Sequence, residues 1–166
     1  RRKLRYDVPA LALTEPQVGS DPARMLTTAK RTPDGTAYVL SGKKLWTTNG
    51  TLARLLVVMA MAPDTKKIST FVVEADWPGV SVEHRCRFMG LRAISNAVMD
   101  FKDVRIPAEN LIGQEGKGLK IALTTLNDGR LSIPNLSVGT VKACLGVVRR
   151  WSNERVQWGK PIGKHE

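Results

Sequence analysis

The hydrophobic rhythm of the chain changes at Gly113, and that break limits what it can fold into more than any average does. From Ala10 to about Gly113, short apolar or alternating runs are separated by turn residues, the spacing of an all-β sandwich or barrel. Beyond it, Leu136, Val138, Val141, Cys144, Leu145 and Val148 recur at three- and four-residue steps, which puts them on one face of a helix. The expected fold is therefore mainly β. An antiparallel β-barrel or sandwich should occupy residues 1–113, followed over 114–166 by the opening helices of an incomplete helical bundle. A helix pair with such a stripe cannot bury it alone and needs the rest of a bundle or a neighbouring subunit.

Within the β part, strands are expected near 10–14, 27–31, 37–41, 55–60, 68–74, 80–83 and 97–104. Pro33-Asp34-Gly35 has the chemistry of a hairpin turn, because Pro presets φ and Gly accepts positive φ, so the flanking strands should pair. In the second part, helices are expected at 119–126 and from about 131 to 157. Pro134 is placed in the first turn of the latter, since deeper in a helix it costs about 3 kcal/mol.

With 166 residues the chain can bury roughly two-thirds of its unfolded surface. Its 42% hydrophobic and 25% charged residues exclude a disordered tail or a low-complexity linker. Lys and Arg exceed Asp and Glu by 11, which suggests an anionic partner: nucleic acid, a membrane surface, or a phosphorylated ligand or cofactor. The excess is spread, +6 before residue 114 and +5 after it, and only Arg1, Arg2, Lys3 and Arg5 cluster. Cys86 and Cys144 are isolated, so neither a disulfide framework nor a zinc site is indicated and a reducing compartment is expected. His84 and His165 lie 81 positions apart, and no carboxylate pair has metal-ligand spacing, so no metal is expected. No apolar run approaches the roughly 18–20 residues that span a bilayer. The chain begins without Met and stops just after a dense motif, so it reads as a piece of a longer cytoplasmic protein, or of a mitochondrial matrix protein in a eukaryote.

Four segments carry chemistry. Thr14-Glu15-Pro16-Gln17-Val18-Gly19-Ser20-Asp21 ends a strand and enters a turn whose amides and hydroxyls suit the oxygens of a cofactor. In Gly42-Lys43-Lys44-Leu45-Trp46-Thr47-Thr48-Asn49-Gly50, Trp46 and Thr48 share one face of an extended strand. A flat ring could stack on the indole while the hydroxyl bonds its edge. Asn127-Asp128-Gly129-Arg130 and the run from Arg155 to Ile162 present arginines suited to forked contact with phosphate or carboxylate.

In order and spacing, these segments resemble the acyl-CoA dehydrogenase family: T-E-P-x-x-G-S-D, G-x-K-x-W-x-T-N-G, G-x-G-x-K-x-A-x-x-x-L-N-x-G-R, then R-x-Q-W-G-K-P-I. The match covers that family's middle β domain and the start of its C-terminal helical domain. It departs at Gln17, where the family often has Gly, and at Leu11, where it often has an aromatic residue.

The resemblance implies an FAD enzyme that oxidises an acyl-CoA to the trans-2-enoyl-CoA, passing electrons to an electron-transfer flavoprotein. Leu11, Leu13 and Thr14 would hold the flavin pyrimidine, with Gly19 and Ser20 at the pyrophosphate or the CoA. Trp46 would cover the flavin, with Thr47 and Thr48 at its edge and Thr48 bonding the nitrogen that accepts hydride. Asn127, Asp128 and Arg130 would contact substrate, while Arg155 and Gln157 would reach the FAD of a neighbouring subunit, implying a homo-oligomer. No catalytic residue is assigned, because the position that carries the base in a minority of the family is Gly129 here, and the base is expected outside this chain. Two alternatives stand beside this reading. One is an acyl-CoA oxidase on the same scaffold; the other is a non-catalytic basic β module that binds nucleic acid, against which stands the lack of interleaved basic and aromatic residues.

Overall fold

The computed structural model describes residues 8–166, so the basic cluster Arg1, Arg2, Lys3 and Arg5 lies outside the described residues. The chain divides into two units, residues 1–123 and 124–166.

The first unit is built on one sheet. Its strands are β1 (Ala10–Ala12), β2 (Thr28–Arg31), β3 (Ala37–Thr48), β4 (Leu55–Met61), β5 (Ile68–Glu74), β6 (Val80–Arg85), β7 (Asn96–Pro107) and β8 (Leu111–Ile112). The order is β6-β7-β3-β2-β4-β5-β8, with β1 beside β4. The expected mainly β domain, given as an antiparallel barrel or sandwich, is present, with a difference in strand direction. The sheet is open and mixed, because β1 runs parallel to β4 (Ala10↔Leu56 to Ala12↔Val58) and β2 meets the end of β4 in parallel at Thr28↔Met61. Periodicity marks which segments are strands, but strand direction depends on pairing between distant segments.

The hairpin at Pro33-Asp34-Gly35 forms as expected: β2 and β3 pair from Thr28↔Ser41 to Arg31↔Tyr38, and Gly35 takes φ +70°, the left-handed region that favours glycine. Strand β3 continues past Ser41 through the whole Gly42–Thr48 segment. It pairs with β7 along both lengths, with register shifts between Leu40 and Gly42 and between Lys44 and Thr47.

The run Leu55-Leu56-Val57-Val58-Met59-Ala60-Met61 is apolar throughout because β4 buries both faces. Leu56, Val58 and Ala60 enter one core with Leu40, Phe71, Val73, Phe101, Val104 and Ile106, while Met59 joins Met25, Ile68 and Ala122 on the other side. The start of the following helix seals that second face. Gly118 opens it so close to β5 that a Cβ would lie 2.5 Å from the Ser69 carbonyl carbon, so glycine is required there.

One helix, α1 (Gly118–Glu154), replaces the expected pair, and it carries Gly129 and Pro134 in its interior. Pro134 therefore does not sit in a first turn. Its fixed φ is compatible with the helix, and side chains bracket the weak point: Ser132 donates to the Asp128 carbonyl (2.9 Å), Asn135 to Leu131 (3.0 Å) and Ser137 to Ile133 (2.9 Å).

In the second unit, Leu131, Ile133, Leu136, Val138, Val141, Leu145, Val148 and Trp151 are all exposed. An 18-residue window of α1 has a mean hydropathy of 1.4, so by length and composition this helix is apolar enough to cross a membrane, which corrects the expectation that no stretch is. The same stripe is what a bundle helix presents to its neighbours. The chain then turns through a short hairpin of β9 (Val156–Gln157) and β10 (Lys160–Pro161), where a longer helix was expected. Trp158 and Gly159 between them both take positive φ, as a tight two-residue loop requires.

Candidate functional site

The first unit brings together the two segments that sequence assigns to a planar ring. After β1, the chain crosses against β3, where the Leu45 amide donates to the Thr14 carbonyl at 2.8 Å. Leu11, Leu13 and Thr14 are half-buried, the two leucines packing on the Met25 side of the sheet.

On β3, one more residue lies between Lys44 and Thr47 than on the facing stretch of β7, a bulge that puts Trp46 at φ 55°. The bulge turns the indole outward. Without it, Trp46 would share the inward face of Lys44, which is fully buried; with it, Trp46 is 57% exposed. Thr48 is exposed too, while Thr47 between them is buried and its hydroxyl has no partner. Trp46 and Thr48 thus fall on the same side as expected, but through a bulge rather than through regular pleating, and the side chain of Thr47 faces the interior.

Thr48 Oγ1 accepts a hydrogen bond from Asn96 Nδ2 at 3.3 Å, which leaves the hydroxyl proton for an acceptor outside the protein. Asn96 is largely buried and its Oδ1 is unpaired. An open indole, a hydroxyl poised to donate and unspent polar atoms behind them are a set that fits the flat, acceptor-edged ring of a flavin.

Gly19 and Ser20 are exposed and line a cleft of about 430 Å³ with Gln17, Val18, Asp21, Arg24 and Leu26. Arg24 gives this cleft a cation that sequence reasoning passed over, since a lone Arg in a loop carries no signal.

A larger omission is the pair Glu15 and Lys44, both inside the recognised motifs but given no role. The Lys44 Nζ lies 2.8 Å from Glu15 Oε1 and also donates to the Leu13 carbonyl at 3.1 Å, with both side chains shielded from solvent. Glu15 further accepts from the amides of Leu26 (2.6 Å) and Thr27 (3.0 Å). Burial would raise the Glu15 pKa, but the Lys44 charge and the hydrogen bonds from Lys44, Thr27 and Leu26 outweigh it and hold the carboxyl below its ordinary range. Burial pulls Lys44 below the ordinary lysine value, opposed by Glu15. The signal was present in sequence as two charges flanking apolar runs, but charge alone does not say which one goes inside.

In the second unit, Asn127, Asp128 and Arg130 sit exposed on α1, and Arg155 and Gln157 lie exposed beyond its end. The structure does not bring these two groups together: about 36 Å of helix, from the per-residue rise, separates Arg130 from Glu154. Gln157 lies on β9, and its carbonyl is 3.0 Å from a ring nitrogen of His165.

The fold and these motifs agree with comparison to known proteins. Residues 10–104 match the family model for the acyl-CoA dehydrogenase middle domain, and residues 116–166 match that for the acyl-CoA dehydrogenase C-terminal domain. The chain belongs to the acyl-CoA dehydrogenase family.

Among its relatives is the probable acyl-CoA dehydrogenase FadE10 of Mycobacterium tuberculosis, 60% identical over 163 residues, covering 96% of this chain and 25% of that protein. Butyryl-CoA dehydrogenase from Megasphaera elsdenii superposes with a TM-score of 0.86 at 37% identity, covering 95% of this chain and 42% of the other. An acyl-CoA dehydrogenase from Bacillus anthracis, solved in complex with FAD, gives 0.85 at 38% identity, covering 94% and 27%. The chain thus spans between about a quarter and two-fifths of the length of these relatives.

Proposed function

We propose that this chain is the flavin-holding part of an FAD-dependent acyl-CoA dehydrogenase, and that the whole protein oxidises an acyl-CoA to its trans-2-enoyl-CoA. The observation that carries the reading is the bulge on β3, which exposes Trp46 beside Thr48 while burying Thr47. Family membership and the FAD in the Bacillus anthracis relative support it.

Bound FAD would supply the acceptor for the hydride leaving the β carbon. The chain's own residues would do the rest of the holding. Trp46 would cover one face of the ring and Thr48 would donate to its edge. The backbone of Leu11–Thr14 would flank the pyrimidine end, and the Thr14 hydroxyl would add a contact there. The Gly19 and Ser20 amides with Arg24 would meet phosphate oxygens of FAD or CoA. Asn127, Asp128 and Arg130 would face substrate, and Arg155 and Gln157 would serve a neighbouring subunit in a homo-oligomer.

The α-proton requires a base beyond these residues, since Gly129 offers none. We further assign electron transfer to an electron-transfer flavoprotein, and a reducing compartment, cytoplasmic or mitochondrial matrix, consistent with two unpaired cysteines.

The test is the visible absorption spectrum of the full natural chain, recorded before and after adding acyl-CoAs of increasing length. A flavin band bleached by one length class is expected, with Trp46→Ala and Thr48→Val lowering flavin content. A colourless protein, or a flavin band that no acyl-CoA bleaches, overturns the reading.

A further inference from the structure

Trp46 and Thr48 sit on β3, Leu11 to Thr14 sit at the end of β1, and the two stretches are joined by the Leu45–Thr14 backbone hydrogen bond and by a buried ion pair. Lys44 reaches across to the Leu13 carbonyl, 31 positions away in sequence, and to Glu15 two residues further on. Both Glu15 oxygens are engaged, one by Leu26 and the other by Thr27 and Lys44. Lys44 is also the last residue of β3 in regular register, opposite Met99, before the bulge that turns Trp46 outward.

A buried pair of this kind is an expensive way to gain stability, because apolar side chains of similar volume serve the core as well or better. Lys44 Nζ lies 4.0 Å from the sulfur of Met25, at the edge of the smaller apolar cluster. What apolar side chains could not do is hold the Leu13 carbonyl and a loop carboxylate at fixed positions beside the bulge.

We infer that Glu15 and Lys44 are positioning residues for the flavin: their ion pair sets the spacing between the Leu11–Thr14 segment and the β3 bulge that presents Trp46 and Thr48. This rests on the flavin reading above. Both side chains are shielded from solvent, so neither would touch the ring. Each acts through the backbone it anchors, Lys44 through Leu13 and Glu15 through the amides of Leu26 and Thr27.

The experiment compares the full natural chain, loaded with FAD, with Lys44→Met, Glu15→Gln and the double variant. Each single variant leaves a buried group without its partner and is expected to lower the melting temperature. The double variant removes both charges together and is expected to melt above either single variant but below the parent, since the glutamine amide nitrogen faces one of the two backbone amides that Glu15 accepts from. It still lacks the ammonium bond to Leu13, so its FAD affinity should fall about tenfold, the worth of one charge-assisted hydrogen bond. Its flavin absorption band should also shift relative to the parent.

A folded double variant with parental FAD affinity and an unshifted band overturns the inference. So does a double variant that fails to fold, because the pair then serves the sheet and not the site. A parent chain that binds no FAD is a distinct result, which overturns the flavin reading itself.

Discussion

The two units of this chain solve the problem of apolar surface in opposite ways. In the sheet, Phe71 and Phe101 are fully buried, β4 is covered on both faces, and even the charged pair beneath the bulge has its hydrogen bonds satisfied inside the unit. Along α1 past Leu123, the apolar side chains face outward. The sheet unit can therefore hold its candidate site in place with its own packing. Residues on the helix, Arg130 among them, lie on a stretch whose apolar side chains are exposed.

The largest expected effect tests this contrast directly. Phe101→Ala should destabilise the 166-residue chain by about 3–5 kcal/mol, from lost burial plus an unfilled cavity. Leu145→Ala, on the open stripe, should stay within about 0.5 kcal/mol. Both are read by urea unfolding. Equal losses would break the comparison, because they would mean the stripe is already covered when the chain stands alone.

A smaller effect sharpens it within the helix. Pro134 offers no amide to the carbonyl four residues back, and an interior proline costs about 3 kcal/mol relative to Ala. Pro134→Ala should slow amide hydrogen exchange around residues 130–138, where every side chain is exposed. Unchanged exchange would show that Ser132, Asn135 and Ser137 already offset the proline.

Most of the strand plan was legible from alternation and turn chemistry. The segment Ile68–Glu74 is a strand over its full expected length, and the Pro33-Asp34-Gly35 hairpin closes as its residues require. Three features were not legible, each for a physical reason. The parallel contacts of β1 and β2 with β4 join segments far apart in sequence, which local patterning does not encode. The single helix through Gly129 and Pro134 overrides local propensity.

The bulge at Trp46 is the third. Simple two-residue alternation puts Lys44, Trp46 and Thr48 on one face, yet Lys44 is inside and the other two are outside. The motif gave the correct side for Trp46 and Thr48 while hiding the device that creates it, and so it also hid the reason Glu15 and Lys44 accompany them.

The smallest expected effect lies at the far end of the β2–β3 hairpin, where polar rather than apolar contacts do the holding. Asp34 accepts from the Thr32 hydroxyl and from the amide and hydroxyl of Thr36, with Arg105 at 4.0 Å. These hydrogen bonds, that from Thr32 first, lower its pKa to about 2. A carboxyl lowered on folding binds fewer protons in the native state. Its contribution is therefore whole above the unfolded value of about 3.9 and disappears as pH falls through the native value. An NMR titration of the Asp34 carboxyl should show a midpoint near 2. In Asp34→Asn, the hairpin's part of the acid dependence should vanish, while the part due to Glu15, whose carboxyl is lowered within the buried pair, remains. A midpoint at the ordinary aspartate value would mean that the turn is held by Pro33 and Gly35 alone, and that the sheet unit's acid sensitivity resides in its interior.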